Sequence, residues 1–105
     1  MHEPWPPARC PVWCVAVHSA DDHPDDRNHH SDAHSFGVTI LRTQFSDDKL
    51  IRVSVGTQLE ILAFQPEDQP EPWLHIGDDE TPGVDISVES ARRLARALED
   101  LATAL

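Results

Sequence analysis

From Phe36 to Gln65 the chain alternates between apolar and polar positions. In FGVTILRTQF, residues 36–45, Phe36, Val38 and Ile40 share one parity with β-branched residues between them, and SDDK follows as a turn signal. The next run, LIRVSVGTQLEILAFQ, places Ile51, Val53, Val55, Leu59 and Ile61 on one side and Arg52, Ser54, Gln58 and Glu60 on the other. A half-buried sheet accounts for this period of two. Gly56 interrupts the run and admits a bulge, a bend or a tight turn between two shorter strands. After the loop PEDQPEP, WLHIG and VDIS predict two further short strands, separated by the turn-rich DDETPG.

The period then changes. In SVESARRLARALEDLATAL, Ala91, Leu94, Ala95, Leu98, Leu101, Ala102 and Leu105 recur at intervals of three and four, which predicts an amphipathic helix over residues 88–105. Ser87 is placed to cap its first turn, Glu89 lies near the positive end of the helix dipole, and Arg96 and Asp100 are spaced as an i, i+4 pair. The fold class predicted is α+β: a small antiparallel sheet of three to five strands over residues 36–87 with the helix packed on it. Val38, Ile40, Val53, Val55, Ile61, Leu94 and Leu98 form the expected core. Leu62, Phe64 and Trp73 lie outside that parity, as a patch either shielded by the Trp5 and Trp13 region or used in a homodimer.

The first 35 residues have no such pattern. Residues 1–9 are proline-rich around Trp5 and predict a tail, leaving residues 10–105 as one domain. The opening MHEPWPPARCP has no basic stretch followed by an apolar one, and no apolar run reaches the roughly 20 residues needed to span a bilayer, so a cytoplasmic protein without membrane contact is expected. Nineteen acidic against eight basic residues give a formal charge of −11, a surface that repels nucleic-acid phosphates.

Both cysteines of the chain and five of its seven histidines fall between Arg9 and His34, in RCPVWCVAVHSADDHPDDRNHHSDAH. In a reducing compartment two cysteines serve as ligands or plain thiols more often than as a structural disulfide, although Cys10 and Cys14 could bridge at one turn. Residues 19–35 read on composition as a disordered acidic loop that only a bound ion would tie down, which makes residues 10–35 a zinc-knuckle-like metal-binding segment. Cys10, Cys14, His18 and a later histidine supply the donors of a closed, structural Zn2+ site. His34 is the expected fourth ligand because it abuts the first strand, with His29 or His30 as alternatives and His23 as a spare donor. The first three cannot lie on one straight helix, since eight residues at about 1.5 Å each would separate Cys10 from His18 by roughly 12 Å. A single turn is needed, and Pro11 suits one. His75, between Leu74 and Ile76, reads as a sheet-surface residue.

The CPVWC start, the histidine four positions on, the acidic spacer ending in a histidine and the helix SARRLARAL together resemble a family of small uncharacterised actinobacterial proteins. That resemblance spans roughly Cys10 to Leu101 and implies Cys10, Cys14, His18 and His34 as ligands, with no established activity attached. VDISVESA before the helix departs from the Leu-Thr found there in the family.

Three function classes follow. The first is a zinc-stabilised interaction or regulatory module meeting a protein partner or a second copy of itself. The second is a metalloenzyme drawing on Asp22, Asp25, Asp26 and Asp32, which a four-ligand sphere disfavours because catalysis needs an open position. The third is a regulator contacting nucleic acid through Arg92, Arg93 and Arg96, which the net charge opposes. The chain contains no nucleophile elbow, phosphate-binding glycine loop or nucleotide fingerprint.

Overall fold

The alternating run folds as a long hairpin. Strand β2, His34–Ser46, and strand β3, Lys49–Pro66, pair antiparallel from His34↔Ile61 to Ser46↔Lys49. Asp47 and Asp48 close the hairpin with φ of 50° and 62°, the two positive values that a type I′ turn requires. A short aspartate tolerates that region by bonding locally, which is why SDDK makes a turn without glycine. Gly56 does not interrupt β3: it pairs with Thr39 in regular register, so neither a bulge nor a bend nor a second turn occurs there.

The computed structural model describes Trp5 and residues 10–105 of the chain. The predicted tail, residues 1–9, therefore lies outside the described residues except for Trp5. Five antiparallel strands form one sheet, in which β3 is flanked on one edge by β2 and by the short β1, Asn28–His30, and on the other by β4, Trp73–Gly77. Strand β5, Val84–Ser87, adds to β4. The fold is thus the expected α+β class, a five-stranded antiparallel sheet with one carboxyl-terminal helix.

Strands β1 and β2 are one strand with a fault in it. His30 pairs with Phe64 and His34 with Ile61, so three residues, Ser31 to Ala33, face two on β3. This is a one-residue bulge. It is held by Ser31, whose amide donates to the Ala63 carbonyl at 2.8 Å and whose hydroxyl accepts from the Ala63 amide at 2.9 Å.

Between β4 and β5 the backbone doubles back tightly. Asp78 organises the turn by accepting from the Glu80 and Thr81 amides and the Thr81 hydroxyl at 2.8–2.9 Å. The Thr81 amide, then its hydroxyl and the Glu80 amide, hold the Asp78 carboxyl below its usual range. Gly83 has φ of +75°, and a Cβ there would collide with the Ile76 carbonyl oxygen. Only glycine fits that approach.

Helix α1, Val88–Ala104, begins as the sequence predicts: the Ser87 hydroxyl accepts from the Ser90 amide at 3.1 Å. The i, i+4 ion pair along it is Arg93 to Glu89 at 2.7 Å, on the exposed surface. Its packing differs from expectation. The helix meets β4 and β5 near its start, and every residue from Arg92 to Leu105 is exposed, with Leu94 at 42%, Leu98 at 60% and Leu101 at 65%. The sheet members of the expected core, Val38, Ile40, Val53, Val55 and Ile61, are half-buried, and no apolar side chain among the described residues is fully buried. The period of 3.6 dictates that the helix forms and which stripe is apolar, but not what covers that stripe.

Gly83→Ala should lower the stability of the chain by about 1–3 kcal/mol, since it adds both left-handed strain and a backbone collision. Gly56→Ala is the contrast: a Cβ there meets nothing within 4 Å. Denaturant midpoints of the two variants are expected to fall on opposite sides of the parent, because alanine in an extended position costs less chain entropy than glycine.

Candidate metal centre

The segment 10–31 is built from short turns stitched to the sheet edge. Pro11 opens the first turn, and the Cys14 amide donates to its carbonyl at 2.9 Å, which brings Cys14 back toward Cys10. The chain then runs extended beside β1, where the Val15 amide donates to the His30 carbonyl at 2.9 Å. A second turn follows at Ser19–Asp22. The Asp22 carboxylate accepts from the Ser19 amide at 3.0 Å and from the Trp5 indole at 3.1 Å, and that indole also reaches the Ser19 carbonyl at 3.1 Å. The Ser19 bond is the main reason the Asp22 carboxyl is held below its ordinary range, with the Trp5 bond and the His18 and Arg27 side chains adding to it. A one-turn 3-10 helix, Pro24–Asp26, leads into β1. Arg27 fastens this end to β3: its guanidinium stands 3.6 Å from Glu67, and its carbonyl accepts from the Glu67 amide at 2.8 Å.

These turns gather four soft or borderline donors. The ligating atoms of Cys10, Cys14, His18 and His29 all lie within 4.8 Å of one another. His18 Nε2 is 3.1 Å from Cys10 Sγ and 3.6 Å from Cys14 Sγ. A tetrahedron with Zn–S near 2.3 Å and Zn–N near 2.0–2.1 Å has edges of roughly 3.3–3.8 Å, so small side-chain movements would seat one ion among all four. Both cysteines are free thiols rather than a disulfide. Partial desolvation, then the hydrogen bond and the charge of Cys14, raise the Cys10 thiol above its ordinary value. Two thiols this close resist ionising together unless a cation joins them.

Aromatic rings wall the cluster. Trp5 meets the His18 ring edge-on at 4.7 Å between centroids, His18 meets His29 edge-on at 5.1 Å, and Trp13 closes on His29 at 6.4 Å. Such walls fix ring orientation and limit water.

The structure therefore unites three of the four expected ligands, Cys10, Cys14 and His18, and supplies His29 in place of His34. Across a pair of strands, directly opposed residues share a face. His29 opposes Gln65 and His34 opposes Ile61, so both project from one face but sit four β3 residues apart, roughly 13 Å along the strand. His34 is too distant for the same ion, and His30, opposite Phe64, projects from the other face. Strict alternation from His34 would put His30 rather than His29 on its face. The bulge at Ser31–Ala33 reverses that parity, and no residue type in SDA announces it. His23 is engaged locally, its ring nitrogen accepting from the Asp25 amide at 3.2 Å. His75 is a sheet-surface residue, as predicted, paired with Asp85 at 2.7 Å.

The Leu62, Phe64 and Trp73 patch is half-buried on the face opposite His29, beside a shallow depression that His30, His75 and Asp85 help to line. Trp5 and Trp13 close on His29, on the other face, and do not shield it.

Fold and site define a small α+β domain with a Cys2His2-like donor group at its amino-terminal edge. The chain belongs to the family described as a domain of unknown function, DUF6907, whose model matches residues 1–105. No curated protein and no solved structure matches it. No helix among the described residues is long and apolar enough to cross a membrane.

Because the Asp22 pKa is lowered in the folded state, its contribution to stability is fully present above the unfolded value near 3.9 and is lost as pH falls through the folded one. Trp5 emission, read as the difference between parent and Trp5→Phe, should show a transition below about pH 4 that is absent from Asp22→Ala. Asp22→Ala should give the acid-like emission already at pH 7.

Proposed function

We propose that the protein is a zinc-stapled interaction module, in which one Zn2+ held by Cys10, Cys14, His18 and His29 has a structural rather than a catalytic role. The observation that carries this reading is the convergence of two thiols and two imidazoles within 4.8 Å, in a segment whose packing is limited to aromatic contacts with the same histidines. Val12, Val15 and Val17 are exposed at 104%, 50% and 97%, so aliphatic burial contributes little to holding residues 10–18 in place. An ion bonded to both turns and to β1 would. Two Cys and two His complete a tetrahedral sphere and leave no open position for a substrate or an activated water, which favours a structural ion over a hydrolytic one. Thiolate and imidazole donors select zinc over magnesium or calcium, which take oxygen ligands. What remains for function is surface: an acidic domain that offers a sheet and a helix to a protein partner or to a second copy of itself, and whose charge repels nucleic acid.

Native mass spectrometry of protein purified under reducing conditions is expected to find about one zinc per chain, removable by a chelator. Cys10→Ser, Cys14→Ser and His29→Ala should each drop zinc content below about a tenth of an equivalent, while His34→Ala should retain it. Retention in His29→Ala with loss in His34→Ala would overturn the choice of fourth ligand. A metal-free reduced protein, with a 10–14 disulfide in the unreduced sample, would overturn the site.

The structural role has its own readout. Chelation should raise amide hydrogen exchange across residues 10–31 and change it little in residues 90–102, because the staple touches only the β1 edge. A stable acceleration throughout the helix would assign the ion a global role instead.

A further inference from the structure

We infer that the chain is half of an exchanged homodimer, in which the apolar stripe of each α1 lies along the β2–β3 hairpin of the other copy. The inference concerns residues outside the Cys/His group and goes beyond the metal reading. A single chain lacks a core: among the described residues no apolar side chain is buried, and the radius of gyration is 18.5 Å, against about 13 Å for a compact domain of this length. The molecule extends 58 × 33 × 21 Å.

Two apolar surfaces stay open in a single chain, the helix stripe exposed and the hairpin face half-buried, met at Arg42 by Glu80 of the β4–β5 loop at 2.7 Å. One is the helix stripe of Leu94, Leu98, Leu101 and Leu105. The other is the hairpin face on which the register aligns Ile40 with Val55 and Phe36 with Leu59, continued by Val53. A helix of 17 residues is about 25 Å long, and the arm of β3 beyond β4, Lys49 to Leu59, is about 35 Å, so the stripe fits within the arm. Helix on sheet is the layer arrangement that both patterns call for.

Charge points to the same occupant. Arg92, Arg93 and Arg96 balance Glu89, Glu99 and Asp100, so the helix is neutral. Over His34 to Gln58 the hairpin carries Arg42, Lys49 and Arg52 against Asp47 and Asp48. Apart from Glu80, which is paired with Arg42 at the hairpin face, the chain's excess of acid lies outside both surfaces, and two copies can join through them without opposing like charges.

A helix about 25 Å long and 10 Å wide has a footprint of roughly 250 Å². Two-fold exchange uses two helices and two hairpins, roughly 1,000 Å² in all, about the minimum for a specific interface and the size of a weakly held dimer.

The test uses the full chain, zinc-loaded and chelated, at about 50 µM. Sedimentation equilibrium should give twice the 11.8 kDa chain mass in both states. In a one-to-one mixture of methyl-labelled and unlabelled protein, isotope-filtered NMR should show contacts from Leu98 of one copy to Val53 or Val55 of the other. Leu98→Glu should weaken dimerisation at least 100-fold while retaining its helical circular dichroism; should that variant misfold, the filtered contacts decide alone. A one-chain mass, with Leu98–Val53 contacts only within a copy, would mean that the helix folds back on its own sheet and would overturn the inference. So would a dimer lacking those inter-copy contacts, such as one joined through Leu62, Phe64 and Trp73.

Discussion

Backbone pairing along β3 holds the described chain together. Its 18 residues serve β1, β2 and β4, and β5 attaches only through β4. Where a typical domain would add a buried core to this ladder, here the ladder stands nearly alone, and a two-stranded arm such as β2–β3 is marginal in water without a covered face. The tight Gly83 crossing and the Ser31 bonds at the bulge follow from the same dependence. Each secures an edge strand to the ladder at a place where regular pairing stops.

The donor cluster uses the sheet as a ruler. Cys10, Cys14 and His18 are brought near one another by local turns, but His29 is positioned by its pairing with Gln65, and Arg27 and Glu67 tie the same edge once more. The site thereby combines three donors of local origin with one whose place depends on the sheet. A bound ion would couple the amino-terminal segment to β3 through one rigid imidazole, whereas the surrounding charges make few bridges to the sheet.

Most of the secondary structure was legible because its periods are simple. Alternation over residues 36–66, the Asp47–Asp48 turn, WLHIG, VDIS and the Ser87 cap all lie where residue chemistry puts them. Besides β1, inside the acidic stretch that reads as a loop, and the uninterrupted pairing at Gly56, two features were not legible, for different reasons. Which histidine stands beside Cys10, Cys14 and His18 depends on a bulge formed by Ser31, Asp32 and Ala33, residues compatible with a regular strand, so adjacency to the first strand points to His34 while the register brings His29 to the group. The helix stripe is plain in the sequence, yet amphipathicity specifies that a surface is to be covered without specifying by which chain. Leu94 and Leu98 belong to a layer, and the described chain does not complete it alone.

The dependence of His29 on Gln65 also sets an order of events in time. A chain synthesised from its amino end presents all four donors within its first 29 residues, while the β3 segment that fixes His29 emerges roughly 35 residues later. At about 5–20 residues per second that delay lasts roughly 2–7 s. Throughout it, the two thiols and two imidazoles sit on an unpaired nascent segment, open to whatever ions and oxidants the compartment holds. If an ion staples this segment as proposed, the redox and metal conditions around the growing chain, and not only those met by the finished protein, would bear on how β1 closes onto its edge.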